Sequence, residues 1–154
     1  MEEIKLSFEE KLEAFLGNLR DYLDGRVSGT PVLNVDGSNM SADVYVDDDL
    51  AKEVLSDMNV YRKHFNALRH GYISDSKGKN GIRDVHINDG RIYRLTNTAW
   101  TSAKGKKLFQ KYCLMPEATC AVKVVAHDPS LRRLYGFMDT KQSRVVLFGV
   151  DNYK

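Results

Sequence analysis

Arginine and tyrosine residues stand beside one another in segments of this sequence that alternate like β-strands. Two groups carry the pattern: Arg91 and Arg94 around Tyr93, and Arg132 and Arg133 before Tyr135. A planar guanidinium group pairs with phosphate oxygens, and a tyrosine ring offers a face on which a base can stack. The pattern predicts contact with a nucleic acid through these residues. The alternative is that the arginines pair with carboxylates of the same chain.

A second group of basic residues lies in a segment with helical spacing. Thr101 and Ser102 are suitable N-cap residues for a helix that continues to Met115. Its apolar residues are Leu108, Phe109 and Tyr112, and its lysines are Lys104, Lys106, Lys107 and Lys111. A basic helix suits a polyanion, so Lys104, Lys106 and Lys107 are further candidate nucleic-acid-binding residues.

Charge is divided unevenly along the chain, although the 154 residues have a net charge of only +2. Residues 1–60 carry fourteen acidic and five basic residues, a net charge of −9. Residues 61–154 carry seven acidic and eighteen basic residues, a net charge of +11. An anionic partner of the second half would account for this division. Attraction between opposite faces of one fold, or clustering of solvated charges, is the alternative explanation.

Composition and motifs narrow the class of protein. With 42% hydrophobic and 29% charged residues, the chain is expected to form a single globular domain over 1–154. Within it we expect an acidic helical part, 1–75, and a basic sheet-rich part, 76–154. The chain has no apolar run long enough for a membrane helix, and its first residues are acidic, unlike those of a signal peptide. We therefore expect a cytoplasmic protein without membrane contact. Because it lacks zinc and nucleotide-binding motifs, we predict neither a metal site nor a cofactor.

The first half predicts helices around a short hairpin. Ser7 and Glu10 have the spacing of a capping box, and the apolar stripe that follows continues to Leu23. Residues 32–35 and 42–46 flank an Asp-Gly turn and predict a hairpin. Asp47, Asp48 and Asp49 are expected to begin a second helix, which the apolar spacing continues to Leu68. They are better suited to the positive start of a helix than to a metal site.

The second half predicts mainly strands. Residues 82–95 read as a hairpin that turns at Asp89-Gly90, and residues 119–126, 131–138 and 143–150 read as three further strands. The last of them is apolar without interruption, which is typical of a central strand. The expected fold class is α+β, with N-terminal helices packed beside a mainly antiparallel sheet that ends in a three-strand meander.

Residues 131–154, LRRLYGFMDTKQSRVVLFGVDNYK, carry a resemblance to a known family. This segment resembles the closing hairpin of the RelE/HigB toxin superfamily. In that hairpin, a strand with arginine and an aromatic residue is followed by a charged turn, an apolar strand and a polar-aromatic tail. The resemblance extends back to about Ile82. It implies a metal-independent endoribonuclease that cuts mRNA by attack of the 2′-hydroxyl group, in many cases on the ribosome.

The resemblance also implies a set of catalytic residues. Arg133 and Arg144 match the family's strand arginines, Asp151 and Tyr153 match its tail, and Lys154 stands where a catalytic histidine is expected. His127, on the neighbouring turn, is a further proton carrier. Arginines can hold the charge that develops on the phosphate, and a lysine among cations or Tyr153 near an arginine can serve as the base.

The implied partners are RNA or the ribosome, and an antitoxin or another protein. The acidic first half could either cover the basic sheet or bind such an antitoxin-like partner. Two other classes explain the same residues: a non-catalytic protein-binding protein of a phage, mobile element or immunity system, and a nucleic-acid-binding protein without catalysis.

Overall fold

A computed structural model describes residues 6–36, 41–68, 73–74, 76–77, 83–86, 92–95, 103–124 and 134–150. The helices of this part of the chain are α1 (Phe8–Leu23), α2 (Asp48–Ser56), α3 (Met58–Leu68) and α4 (Ala103–Lys111), and a 3₁₀ helix spans Pro116–Ala118. The strands are β1 (Leu33–Asp36), β2 (Ser41–Val46), β3 (Ile73–Ser74), β4 (Ser76–Lys77), β5 (Arg83–His86), β6 (Ile92–Leu95), β7 (Thr119–Val124), β8 (Leu134–Asp139) and β9 (Arg144–Val150). The α+β class is confirmed.

Helix α1 begins and ends where the sequence predicts. The Ser7 hydroxyl oxygen accepts a hydrogen bond from the Glu10 backbone N–H, and the Ser7 N–H donates to the Glu10 carboxylate, each at 3.1 Å. These bonds satisfy two backbone groups that have no partner inside the helix. The apolar stripe, with Leu12, Phe15 and Leu19 among its members, is buried. The predicted capping box is therefore confirmed.

The single helix predicted from the three aspartates to Leu68 is instead two helices. Helix α2 ends at Ser56, and Asp57 leaves the helical conformation with φ −147° and ψ 62°. The Asp57 carbonyl oxygen then accepts bonds from the N–H groups of Val60 and Tyr61 at the start of α3. Aspartate is a poor residue inside a helix and a good one at its end, which explains why the apolar stripe continues while the backbone breaks.

The main sheet has six strands in the order β1-β2-β9-β8-β7-β3. Its closing strands β7, β8 and β9 form an antiparallel meander, and β1 and β2 form the predicted hairpin. Strand β2, however, runs parallel to β9, so the sheet is mixed, and the expected mainly antiparallel sheet is only partly confirmed. The parallel pair is formed where the N-terminal hairpin joins the meander, with β2 hydrogen-bonded to β9. Strand β9 lies between two neighbours, as its apolar sequence predicts.

The two faces of this sheet are covered by different helices. Alternate residues of a strand point to opposite faces, and Val145 and Leu147 of β9 pack with α1, α2 and α3, which we call the helical layer. Val146 and Phe148 pack instead with α4, and we call this side the α4 face. The acidic helices thus cover one face of the sheet that the basic second half forms, and the basic helix α4 lies on the opposite face.

A second, three-stranded antiparallel sheet has the order β4-β5-β6 and lies beside β7. Strands β5 and β6 pair from Arg83 with Leu95 to His86 with Ile92. This pairing confirms the predicted hairpin, although its turn at Asp89-Gly90 lies outside the described residues.

Candidate nucleic-acid interface

Helix α4 is held on the sheet by its apolar side. Leu108, Phe109 and Tyr112 are at most 8% exposed. The Phe109 ring meets the Phe137 ring of β8 edge to face, with centroids 5.1 Å apart, and the Tyr112 ring lies 5.5 Å from the Tyr45 ring of β2. These contacts across two strands bury the apolar side that the spacing of the sequence predicts. The opposite side of the helix is left to solvent.

Lysines occupy the solvent side of α4. The nine residues of the helix include four lysines and no acidic residue. Lys106 and Lys107 are both exposed, as their prediction as binding residues requires. Exposed ammonium groups on a rigid helix can contact successive phosphates of a nucleic acid. The other predicted lysine of this set, Lys104, lies in α4, and its side chain is outside the described part.

Lys111, in contrast, forms salt bridges within the protein. Its ammonium group donates to the carboxylates of Asp48 at 3.2 Å and Asp47 at 3.4 Å, and it lies 5.3 Å from the Tyr112 ring centroid. Partial burial lowers the pKa of Lys111, but Tyr112, Asp48 and Asp47 outweigh it and raise the pKa overall. The ammonium group therefore stays charged at neutral pH and joins α4 to the start of α2.

Tyr112 makes a second contact between the same two helices. Its hydroxyl group donates to Asp47 at 3.0 Å. Burial, followed by the charge of Asp47, raises the pKa of Tyr112, so the phenol remains a neutral donor at physiological pH. Asp47 is the N-cap residue of α2, but its side chain makes no capping bond. The predicted role of the aspartates at a helix start is therefore only partly right for Asp47, whose carboxylate binds α4 instead.

A cleft of about 460 Å³ opens where these two helices meet. It is lined by Asp47, Asp48, Asp49, Lys107, Leu108 and Lys111. Of the two exposed lysines, Lys107 shares this cleft with the three aspartates, whereas Lys106 is not among the residues that line it.

A polar cluster at the β8–β9 turn, which we call the turn cluster (Asp139, Gln142 and Arg144), also binds the C-terminal end of α4 and the residues that follow it. The Asp139 side chain is fully buried and accepts from the backbone N–H groups of Met115, Lys141 and Gln142 at 2.9 to 3.0 Å, and from the Gln142 amide at 2.7 Å. Burial alone would raise the pKa of Asp139, but these hydrogen bonds lower it overall. The carboxylate is therefore a structural acceptor in its charged form.

Arg144 belongs to the turn cluster as a helix-capping residue. One of its guanidinium nitrogens donates to the Tyr112 carbonyl oxygen at 3.0 Å, and the Gln142 amide donates to the Cys113 carbonyl oxygen at 2.7 Å. Cys113 has a φ of 55°, the left-handed conformation in which many helices end. A cation at this end of a helix also matches the helix dipole. Arg144 was predicted as catalytic, and these contacts give it a structural task.

Strand register separates Arg144 from the strand ends that lead to the other predicted catalytic residues. Val124, Leu134 and Val150 are paired at one end of the meander, while Arg144 pairs with Asp139 at the opposite end. Arg144 and Val150 are the first and last of the seven residues of β9, and are roughly 20 Å apart at the usual rise per residue. Arg144 therefore lies at the opposite end of β9 from Val150.

Several predicted site residues lie outside the described part of the chain. These are Arg91, His127, Arg132, Arg133, Asp151, Tyr153 and Lys154. The structure describes only the backbone of three others: Tyr93 and Arg94 lie in β6, and Tyr135 lies in β8 opposite Gly149. Their predicted roles in catalysis and binding stay predictions.

Sequence reasoning missed the residues that position α4. Asp139 follows an apolar strand and precedes Thr-Lys-Gln, a pattern that reads as an ordinary turn. Its burial depends on the loop after α4, which comes from a distant part of the chain. Asp47 was singled out as one of three consecutive aspartates, but nothing local indicates that its partner is Tyr112, 65 residues later.

Comparison with protein-family models, curated proteins and solved structures finds no significant match to this chain. The relation to the RelE/HigB superfamily therefore stays a prediction made from residues 131–154. Among the described residues, no group of histidine, cysteine, aspartate and glutamate side chains is arranged to hold a metal ion. No helix in this part of the chain is long and apolar enough to cross a membrane.

Proposed function

We propose that this protein binds RNA and that the exposed side of α4 contacts the RNA backbone. The observation that carries the proposal is the exposure of Lys106 and Lys107 on a helix without acidic residues. The helix is fixed by its aromatic contacts and by the turn cluster, so binding need not order it. Preorganised lysines retain more of their interaction energy because less conformational entropy is lost on binding.

The salt dependence of binding tests this proposal. Each phosphate contact to single-stranded RNA contributes about −0.7 to the slope of log K against log salt concentration. We expect the double variant Lys106→Gln/Lys107→Gln to bind a labelled single-stranded RNA more weakly and with a slope shallower by roughly one unit. Of the single variants, Lys106→Gln should have the larger effect, because Lys107 lines the same cleft as three aspartates, whose carboxylates disfavour a phosphate there.

A matched control lies on the other side of the sheet. Lys52 of α2 and Lys63 of α3 are exposed lysines of the helical layer. The double variant Lys52→Gln/Lys63→Gln makes the same change in net charge, and it should leave both affinity and slope unchanged. Equal effects of the two double variants would mean that RNA responds only to net charge, and would contradict an interface on α4.

RNA cleavage is a second proposed activity, supported by chain connectivity at one end of the meander. Val124, Leu134 and Val150 are neighbours there, and three predicted residues are close to them in sequence: His127, Arg133 and Asp151. In the reaction, a base removes the proton of the 2′-hydroxyl group and this oxygen attacks the adjacent phosphorus. The bond to the 5′ oxygen breaks, an acid protonates that oxygen, and a 2′,3′-cyclic phosphate is left.

Product analysis and two arginine variants test this activity. We expect Arg133→Ala to abolish formation of the cyclic phosphate product, because Arg133 would stabilise the charge on the phosphate. Folded Arg144→Ala should still cleave, since its guanidinium group caps α4 far from the Val150 end. Unchanged cleavage by Arg133→Ala would contradict the proposed catalytic end, and the absence of any cleavage by the wild-type protein would leave RNA binding as the whole function.

A further inference from the structure

Two partly buried aromatic side chains lie on the α4 face beside the helix. Tyr45 of β2 pairs in register with Val146 of β9, and Phe148 lies two residues further along β9. The β8–β9 pairing shifts register at Phe148. Tyr45 and Phe148 nevertheless pack against the same small core under α4, so they lie on the same side of the sheet. Both belong to the margin of the small core under α4.

Each of these two rings is supported from behind by a more deeply buried ring. Tyr45 packs against Tyr112 with centroids 5.5 Å apart, and Phe148 packs against Phe137 at 4.8 Å. A ring fixed in this way has lost its rotational freedom before any ligand binds. Its remaining exposed surface can receive a flat apolar group at a low entropic cost. Nucleic-acid bases are such groups, and sheet aromatics beside basic residues are a recurrent way to bind them.

We propose that Tyr45 and Phe148 form a stacking surface for unpaired RNA bases. The inference rests on the proposed RNA binding, since Lys106 and Lys107 would hold phosphates of the same strand. Bases in a duplex are already stacked on one another and present no free face. The surface therefore selects single-stranded RNA over duplex RNA.

Charged residues on the same face of the sheet indicate the path that a bound RNA strand would take. Asp43 lies two residues before Tyr45 on β2, where its carboxylate accepts a bond of 3.0 Å from the Asn34 amide of β1. Carboxylates repel phosphates, so the β1 side of this face is unfavourable for RNA. The path that remains leads from α4 across Phe148 towards Val150, the end at which cleavage is proposed.

Binding measurements with single-stranded and duplex RNA of equal phosphate number test the inference. We expect the wild-type protein to prefer the single strand, and Phe148→Leu and Tyr45→Leu each to weaken its binding by about tenfold. Because no phosphate contact is lost, the salt slope should stay unchanged, unlike that of Lys106→Gln/Lys107→Gln. Phe148→Tyr keeps a ring and should bind as the wild type does. Phe8→Leu, which alters a partly buried aromatic residue of the helical layer, should leave RNA affinity unchanged.

A cross-linking measurement on the unaltered protein removes any dependence on the folding of variants. A thiouridine-substituted single strand should cross-link to the peptides that contain Tyr45 or Phe148 under ultraviolet light. Cross-links confined to α4, or loss of duplex and single-strand affinity in equal measure in Phe148→Leu, would overturn the stacking surface while RNA binding stands. A wild-type protein that binds neither RNA would overturn the proposed function itself.

Discussion

The two sides of the main sheet are stabilised in different ways. On the helical layer, twenty described residues form one buried apolar cluster that draws on α1, α2, α3 and both halves of the chain. On the α4 face, the corresponding cluster has six described residues. Helix α4 is fixed instead by directional bonds at its C-terminal end, from the turn cluster and from the Tyr112 hydroxyl group to the Asp47 carboxylate. One side thus supplies most of the apolar stabilisation, and the other presents charge on a small anchored helix.

This difference explains how a small domain can present a basic surface. Four lysines on one short helix repel one another, and no acidic residue within α4 offsets them. Hydrogen bonds to backbone carbonyl groups and the Asp47–Lys111 contact hold the helix despite that repulsion. We therefore expect substitutions in the helical layer to change the global free energy of unfolding, and substitutions on the α4 side to destabilise mainly α4 itself.

The largest expected effect separates global from local stabilisation. Phe65 of α3 is fully buried and packs edge to face on Phe15 at 5.8 Å. Phe65→Ala should lower the free energy of unfolding by about 3–5 kcal/mol, and Phe109→Ala in α4 by about 3 kcal/mol. Hydrogen exchange should show protection lost throughout the sheet in the first variant and mainly in α4 in the second. An equal loss of protection throughout the sheet in both variants would contradict the division between global and local stabilisation.

The turn cluster gives the next largest effect, and one that depends on pH. Asp139→Asn should cost about 1–3 kcal/mol at neutral pH, because an amide cannot accept all the bonds that reach this buried carboxylate. The bonds lower the pKa of Asp139 in the folded protein. Its contribution is therefore complete above the ordinary pKa of about 4 and is lost as the pH falls through the lower folded value.

Urea unfolding at several pH values measures this contribution. The difference between wild type and Asp139→Asn should be constant near neutrality and shrink below about pH 4. A difference that is independent of pH down to the acid transition would show that the charge of Asp139 contributes nothing.

Two tyrosine variants compare a bond between the two sides with a bond within one side. The Tyr112 hydroxyl group donates to Asp47 across the layers, whereas the Tyr61 hydroxyl group donates to Glu53 inside the helical layer, each at 3.0 Å. Tyr112→Phe and Tyr61→Phe should each cost about 1 kcal/mol. Only Tyr112→Phe should speed hydrogen exchange in α4, and the same exchange rate in both variants would contradict a link between the layers.

The smallest effect is expected at an exposed ion pair of the helical layer. Arg62 donates two hydrogen bonds of 2.8 Å to Glu13, and the bond from Arg62 is the main cause that lowers the pKa of Glu13. Glu13→Gln should change the midpoint of unfolding less than Tyr61→Phe does, and the change should vanish at high salt, because exposed pairs are screened. A large decrease in the midpoint of unfolding that persists in high salt would show that surface charges contribute substantially to the stability of the helical layer.

Much of the fold was predictable because its signals are local. The Ser7–Glu10 capping box, the pairing of β1 with β2 and the central place of the apolar strand β9 all depend on residues close in sequence, and each is present in the structure. The break at Asp57 was missed because the apolar stripe passes through it unchanged. Of the candidate site, the exposure of Lys106 and Lys107 followed from helical spacing, whereas the structural role of Arg144 did not.

The sequence by itself determined where charge and apolar residues lie along the chain, and therefore that an acidic helical part and a basic part exist. Only the tertiary structure decided that the acidic helices and the basic helix α4 cover opposite faces of one sheet. That outcome depends on the parallel pairing of β2 with β9, a contact between residues about 100 positions apart that carries no local signal. The same long-range packing places Arg144 under the end of α4 and Tyr45 beside Phe148, since strand register decides which side chains become neighbours.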